Sequence, residues 1–395
     1  MIAVDIQPYS IVEDDGFKSL MSLMDPRYVL PSRKYFTEKV IPEMYDTVMA
    51  SVQADIDKAK FVSFTTDTWT AQTTTTSFMN LTAHWIDDSF ARKSAILHCE
   101  KFDGQHTGGR LAEAILTMMN KWKIDKQRVH LVLRDGATNI VKAMRDADLP
   151  SVSCFAHTLQ LALHDGILCQ PSVAELITSA RKIVGHFRHS SSATSRFHAI
   201  QEDLGMPKHQ LQQDVVTRWN STYHMLDRLL EQKRAVTLFV AECDEKASKG
   251  LSVTASQWTL AARVVKMLQP FDQLTREVSR ADACFSMILP ATQAILLYLQ
   301  KDTSDEGIKK TISEVISSLT KRFADTFDNA LFTVASGLDP RFKLRFLNAL
   351  QQLKAKNDIV GATLMLQPQP TVSEASESAP ADEPPSKKIK IQDSC

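Results

Sequence analysis

The spacing of apolar residues changes period along this chain, and that change limits the folds open to it. Before Lys60 the pattern is helical: Met44, Tyr45, Val48, Met49, Val52 and Ile56 recur at three- and four-residue steps behind Pro42, which suits a first helical turn. The stripe predicts a helix that docks on something downstream. Over residues 61–66 aromatic, β-branched and hydroxyl side chains take over and stop at Asp67, and residues 78–86 and 91–102 repeat the pattern across turn-like separators. Three strands so close together predict an antiparallel meander. Leu111, Ala114, Ile115, Met118, Met119 and Trp122 then form a helical stripe, followed by a short buried strand over 129–133 that stops at Arg134-Asp135-Gly136. Strand, helix, strand predicts a right-handed crossover between parallel strands.

A second helix over 138–146, a strand over 152–154 and a helix from about 157 to 168 complete the order βββαβαβα. This is a mixed α/β sheet with helices on its faces, and it fits a ribonuclease-H-like fold. Past Val173 the period stays helical. Three long stripes, from Leu176 to Phe187, from Trp258 to Val278 and from Ile308 to Phe327, predict an all-helical lobe, with Pro270 kinking or ending the second. The division expected is an irregular lead-in (1–31), a helical docking segment (32–59), a ribonuclease-H-like domain (60–172), a helical domain (173–350), and a linker with a disordered, proline-rich tail (351–395).

Composition narrows the function classes. The 46 basic residues balance 46 acidic ones, so no bulk positive field draws the chain to nucleic acid, and any DNA contact needs a local patch. Six cysteines occur without a CxxC pair, which argues against a disulfide scaffold and against a self-contained zinc finger. No apolar run approaches the roughly 20 residues of a membrane-spanning helix, and the acidic N-terminus is unlike a secretory leader. A soluble, intracellular chain with no membrane partner is expected.

Four constellations carry candidate chemistry. Asp67 and Asp135 each end a strand, and those strands are neighbours in the crossover; paired carboxylates there offer hard oxygen ligands to Mg²⁺ or Mn²⁺. Turn capping explains the same two residues without any metal. Cys154 and His157, three apart, lack the partner pair of a zinc finger. Arg218 beside Trp219 can hold a phosphate and stack a base, or the tryptophan can be a packing anchor. Arg181, Lys182, Arg188 and Arg196 cluster along the chain and can track a phosphate backbone or form a solvated helix face. In the tail, Lys387, Lys388 and Lys390 follow Pro384-Pro385 and read either as a nuclear import signal or as a solvated end.

Taken in order, the strings FVSFTTDTWT (61–70), LVLRDGATNIVKAM (131–144), SCFAHTLQLAL (153–163), DVVTRWNSTYHMLDRLLEQ (214–232) and LDPRFKLRFL (338–347) resemble the transposase domain of hAT-type elements. They look most like its domesticated descendants, the BED-type zinc finger (ZBED) proteins, and the resemblance covers about residues 23–350. It implies a ribonuclease-H-like domain interrupted by a large helical insertion domain. It also implies that Asp67 and Asp135 match the first two acids of a DDE triad, that Cys154 and His157 match the CxxH motif beside the site, and that Arg218 and Trp219 match the Arg-Trp pair that supports a DNA end. The family's catalytic Glu, its dimerisation segment and its BED finger have no counterpart string in this sequence. The expectation is therefore a catalytically inactive, nuclear, DNA-associated or protein-interaction regulator of transcription. It would keep a vestigial, weak site for Mg²⁺ or Mn²⁺, hold no zinc, and bind DNA weakly or indirectly alongside other nuclear proteins. An active metal-dependent transposase or nuclease that takes its third acid from elsewhere, and a truncated fragment without function, are the alternatives.

Overall fold

The computed structural model describes residues 1–71, 74–243, 250–301 and 308–366. Five strands, β1 (Val62–Thr70), β2 (Ser77–Ile86), β3 (Arg92–Lys101), β4 (Val129–Arg134) and β5 (Ser151–Ser153), form one sheet in the order β3-β2-β1-β4-β5. β1 pairs antiparallel with β2, and β2 with β3, whereas β1–β4 and β4–β5 are parallel. The meander and the crossover read from the sequence are both present. Alternation builds the inner face: Val62, Phe64 and Thr66 of β1 and Met79, Leu81, Ala83 and Trp85 of β2 are buried.

The helices of nine or more residues are α1 (Asp15–Met24), α2 (Ile41–Lys58), α3 (Gly108–Lys121), α4 (Thr138–Asp146), α5 (Phe155–Leu163), α6 (Pro171–His189), α7 (Ser191–Asp203), α8 (Trp219–Glu231), α9 (Lys233–Glu242), α10 (Ala255–Val278), α11 (Ile288–Lys301), α12 (Lys309–Arg322), α13 (Ala330–Leu338) and α14 (Ala349–Leu366) among the described residues. α3 covers the inner face of the sheet with Leu111, Ile115, Met118 and Met119, and α4 adds Ile140, Ala143 and Met144. α2 docks as expected only through its C-terminal half. Ile56 is buried and Met49 and Val52 pack on the core, but Met44, Tyr45 and Val48 face outward.

Beyond Ser153 the described chain is helical. A second core runs from Phe155 to Phe323, and α5, read from the sequence as part of the sheet domain, contributes Phe155, Leu159, Ala162 and Leu163 to it. The sheet core ends at Leu149, so the two cores part between β4 and α5. A small third cluster of Leu289, Phe332, Leu347 and Ala355 joins α11, α13 and α14.

Two expectations are corrected. The lead-in is not irregular: it contains a short helix, Ile2–Asp5, a 3-10 turn, Tyr9–Glu13, and then α1. Phe17, Leu20, Met21 and Met24 of α1 recur at helical spacing, and Asp15 in its first turn suits the helix dipole. Pro270 neither ends nor interrupts α10, which runs on to Val278. The proline removes the hydrogen bond to the Lys266 carbonyl, but the Tyr298 hydroxyl donates to that oxygen at 3.2 Å. Trp258, Ala261, Val264, Met267, Leu268 and Phe271 bury one continuous face, which outweighs the missing bond. Among the described residues no helix is long and apolar enough to cross a membrane.

Candidate functional site

Parallel pairing sets Thr65 opposite Leu133, so Asp67 on β1 and Asp135, just past the end of β4, stand two residues further along neighbouring strands. Each carboxylate is oriented by a nearby amide. Asp67 Oδ1 accepts from the N–H of Thr68 at 2.9 Å, and Asp135 Oδ1 accepts from that of Ala137 at 3.0 Å. Asn80 on β2 braces the same spot, its Oδ1 accepting from the Asp67 N–H at 2.8 Å. Burial is the largest influence on the Asp67 carboxyl and raises its pKa above the usual aspartate value; the Thr68 amide opposes this, Asp135 adds to it, and His157 and Arg218 oppose it. Asp135, His157 and Arg218, from three other motifs, therefore lie within electrostatic range of Asp67.

The helical lobe supplies His157 and Arg218. His157 is in the first turn of α5 and packs over Gly136, where a Cβ would lie 3.6 Å from the ring Cδ2. Cys154 caps that helix, and its N–H donates to the Arg134 carbonyl at 2.6 Å. Arg218 caps α8, and the neighbouring Trp219 N–H donates to Gln160 Oε1 on α5 at 2.8 Å, fixing one helix start against the other. Arg134, which sequence reasoning passed over, is buried, and its guanidinium donates to Ser151, to Ser153 and to the Asp135 carbonyl. A charged residue closing an otherwise apolar strand was the signal.

Trp219 is not available to stack a base. Its ring is 3% exposed and meets Phe271 edge-on at 6.4 Å, so the packing-anchor alternative holds. The basic cluster also divides. Arg181 chelates the buried Asp214 through Nε and Nη2, with a closest approach of 2.7 Å, and Arg196 pairs with Glu242 at 2.6 Å. Lys182 and Arg188 are exposed. The tail lysines, Lys387, Lys388 and Lys390, lie outside those residues.

Asp67 and Asp135 are the residues that could hold a hard divalent cation such as Mg²⁺ or Mn²⁺, each through the oxygen not committed to an amide. Among the described residues no three His, Cys, Asp or Glu side chains are grouped so as to hold a metal ion.

Two family models match: the ZBED1 RNase-like domain over residues 65–149 and the ZBED1 RNase-like helical domain over residues 152–267. Their junction falls where the two cores part. Human zinc finger BED domain-containing protein 4 is 29% identical over 91% of this chain and 31% of its own length. A Zea mays protein named for the AC transposase is 27% identical over 85% of this chain and 43% of its own length. A Talaromyces stipitatus protein named for transcriptional regulation is 23% identical over 86% of this chain and 43% of its own length. The chain thus spans less than half the length of each relative. With both halves of the family's RNase-like region matched in order, the chain belongs to the ZBED family of hAT-transposase-derived proteins.

Proposed function

We propose that this chain is a ribonuclease-H-like domain interrupted by a helical insertion, and that it acts in the nucleus as a DNA-associated or protein-interaction regulator without cutting DNA by its own residues. The observation that carries this reading is the placement of Asp67 and Asp135 at neighbouring strand ends, with His157 and Arg218 within electrostatic range of Asp67. Asp67 and Asp135 would hold Mg²⁺ or Mn²⁺ there, and such an ion supplies Lewis-acid stabilisation of phosphate oxygens. Arg218 contributes positive charge on the helical side and His157 a ring nitrogen able to hydrogen-bond, suited to a phosphate approaching the strand ends. Two carboxylates leave a divalent ion less firmly fixed than three. The reading of the chain as a regulator also draws on the relative named for transcriptional regulation.

The test is a nicking and strand-joining assay on purified protein with Mg²⁺ or Mn²⁺, run beside Asp135→Ala. No product above background is expected. Metal-dependent cleavage that disappears in Asp135→Ala would instead establish the transposase or nuclease alternative, with the third acid supplied from another part of the protein or from a partner.

A further inference from the structure

The last of the motif strings, residues 338–347, contributes nothing to the strand-end site, yet its first four residues form one wall of an open cavity of about 570 Å³, a size that takes small molecules. The facing wall is Cys284 and the start of the 3-10 turn Phe285–Met287. Arg92, at the head of β3, places that turn by donating through Nη1 to the Ala283 carbonyl at 2.7 Å. Phe285, Ala335 and Leu338 give the cavity apolar sides, and four polar groups meet in it as one hydrogen-bonded chain. Cys284 Sγ lies 2.9 Å from Ser286 Oγ, and the buried Ser286 commits its own proton to Asp339 Oδ2 at 2.6 Å, so the thiol donates to the serine. Asp339 in turn holds Arg341, whose Nη2 is 2.8 Å from the carboxylate and 3.4 Å from the sulfur. The Phe342 ring supports the guanidinium from the other side, 5.0 Å from its centre. Cys284 itself is exposed.

We propose that Cys284 is a modification site for α,β-unsaturated carbonyl compounds that carry an apolar tail. The thiol gives its proton to water, the sulfur lone pair forms the bond to the β-carbon, and the π pair of the C=C bond moves through to the carbonyl oxygen as an enolate. Water then protonates the α-carbon, so the thiol has added across the double bond and neither an oxidant nor a reductant is consumed. The thiolate is the attacking form, and Arg341 Nη2 is placed to hydrogen-bond it; other N–H groups of the same guanidinium can donate to the enolate oxygen. An apolar tail is drawn from water onto Phe285, Ala335 and Leu338. Cys99 and Cys169 are exposed too, Cys169 with the His164 ring 3.4 Å from its sulfur, but neither lines this cavity. The proposal stands apart from the DNA reading and does not rest on it.

The experiment treats the full chain with two conjugated enals of equal head group, crotonaldehyde and trans-nonenal, reduces the adducts with borohydride, and follows each cysteine by peptide mapping in a mass spectrometer. Cys99 and Cys169 report plain thiol exposure in the same molecule. Measured against them, Cys284 should favour nonenal over crotonaldehyde by about 10-fold, the effect of burying two or so methylene groups. Leu338→Ala, at a position 66% exposed, should lower that preference and leave both the crotonaldehyde rate and the melting temperature near wild type. Arg341→Gln should slow Cys284 by about 10-fold with both enals, and Arg341→Lys should recover part of the rate. The same chain-length ratio at all three cysteines would overturn the proposal, as would an Arg341→Gln rate equal to wild type or an equal slowing at Cys99 and Cys169. Where Arg341→Gln lowers the melting temperature because Asp339 has lost its partner, the Leu338→Ala comparison decides, and an unchanged preference there sinks the cavity's role.

Discussion

A carboxyl that is desolvated and faces a second carboxylate weakens the fold as soon as it ionises. Asp67 has a folded pKa above its ordinary value of 3.8, so between those two points the folded state binds more protons than the unfolded chain. Stability from this residue is present below 3.8 and lost as pH rises through the folded pKa. Asp67→Asn should therefore be more stable than wild type at pH 7. The gain is held to no more than about 1 kcal/mol by the open surface around the side chain, and it should narrow as the pH approaches 4. Urea titrations at the two pH values check this; a variant less stable than wild type at pH 7 would contradict it. Arg181 poses the opposite case. Burial pushes the Asp214 carboxyl up, but hydrogen bonds from Arg181 and Thr222 outweigh this and hold it below its usual range. That stability is present above the ordinary aspartate pKa and lost as pH falls through the depressed one. Removing the guanidinium strands a buried charge, so Arg181→Ala should cost about 3 kcal/mol. Lys182→Ala and Arg188→Ala should stay within about 0.5 kcal/mol. Sequence alone grouped all three as one basic face, because nothing near Arg181 in the chain announces Asp214, which lies 33 residues away.

At the scale of elements, backbone approach decides what periodicity cannot. The π-helical turn His164–Leu168 passes so close to α12 that a Cβ on Gly166 would lie 2.6 Å from Val315 Cγ2 and 2.8 Å from Val315 Cα. Gly166→Ala should lose about 1–3 kcal/mol, seen as a lower urea midpoint. Adding Val315→Ala removes the Cγ2 clash but not the Cα one, so it should rescue the variant only in part; full rescue would mean the backbones can separate. The strands were legible because their side chains alternate or run apolar, a signal local to each segment. The exposed half of α2 was not, since Met44, Tyr45 and Val48 continue the same stripe that buries Ile56, and the stripe itself does not mark where contact stops. The course of α10 through Pro270 depended on Tyr298 and on a long buried face, neither of which a single proline reports. Likewise the motif strings found Asp67, Asp135, His157 and Arg218, whereas burial of Trp219 follows from packing in three dimensions.

For the whole molecule, the consequence of two cores is a site built at their seam. Asp67 and Asp135 stand on the sheet core, while His157 and Arg218 come from helices whose apolar sides fill the helical core. Across the seam the Cys154 N–H donates to the Arg134 carbonyl at 2.6 Å and His157 packs over Gly136. Phe155 against Phe323 at 5.1 Å, Arg322 to Asp165 and Trp219 N–H to Gln160 tie α5 and the turn after it to the helical lobe. α5 thus follows directly on the sheet yet draws its stability from the lobe beyond it. Leu159, 1% exposed on α5, gives a direct test. Leu159→Ala should cost about 2–5 kcal/mol through the cavity it leaves, and the loss should fall on the helical core. Native-state amide exchange should quicken in α5, α6 and α8 while the protected amides of β1, β2 and β4 keep their wild-type rates. Mn²⁺ binding by the carboxylate pair, if present in wild type, should persist in the variant, because neither aspartate depends on α5 for its orienting amide. Equal acceleration in β1 and α8 would show instead that the cores open as one cooperative unit, and the placement of His157 and Arg218 could not then vary independently of the carboxylates.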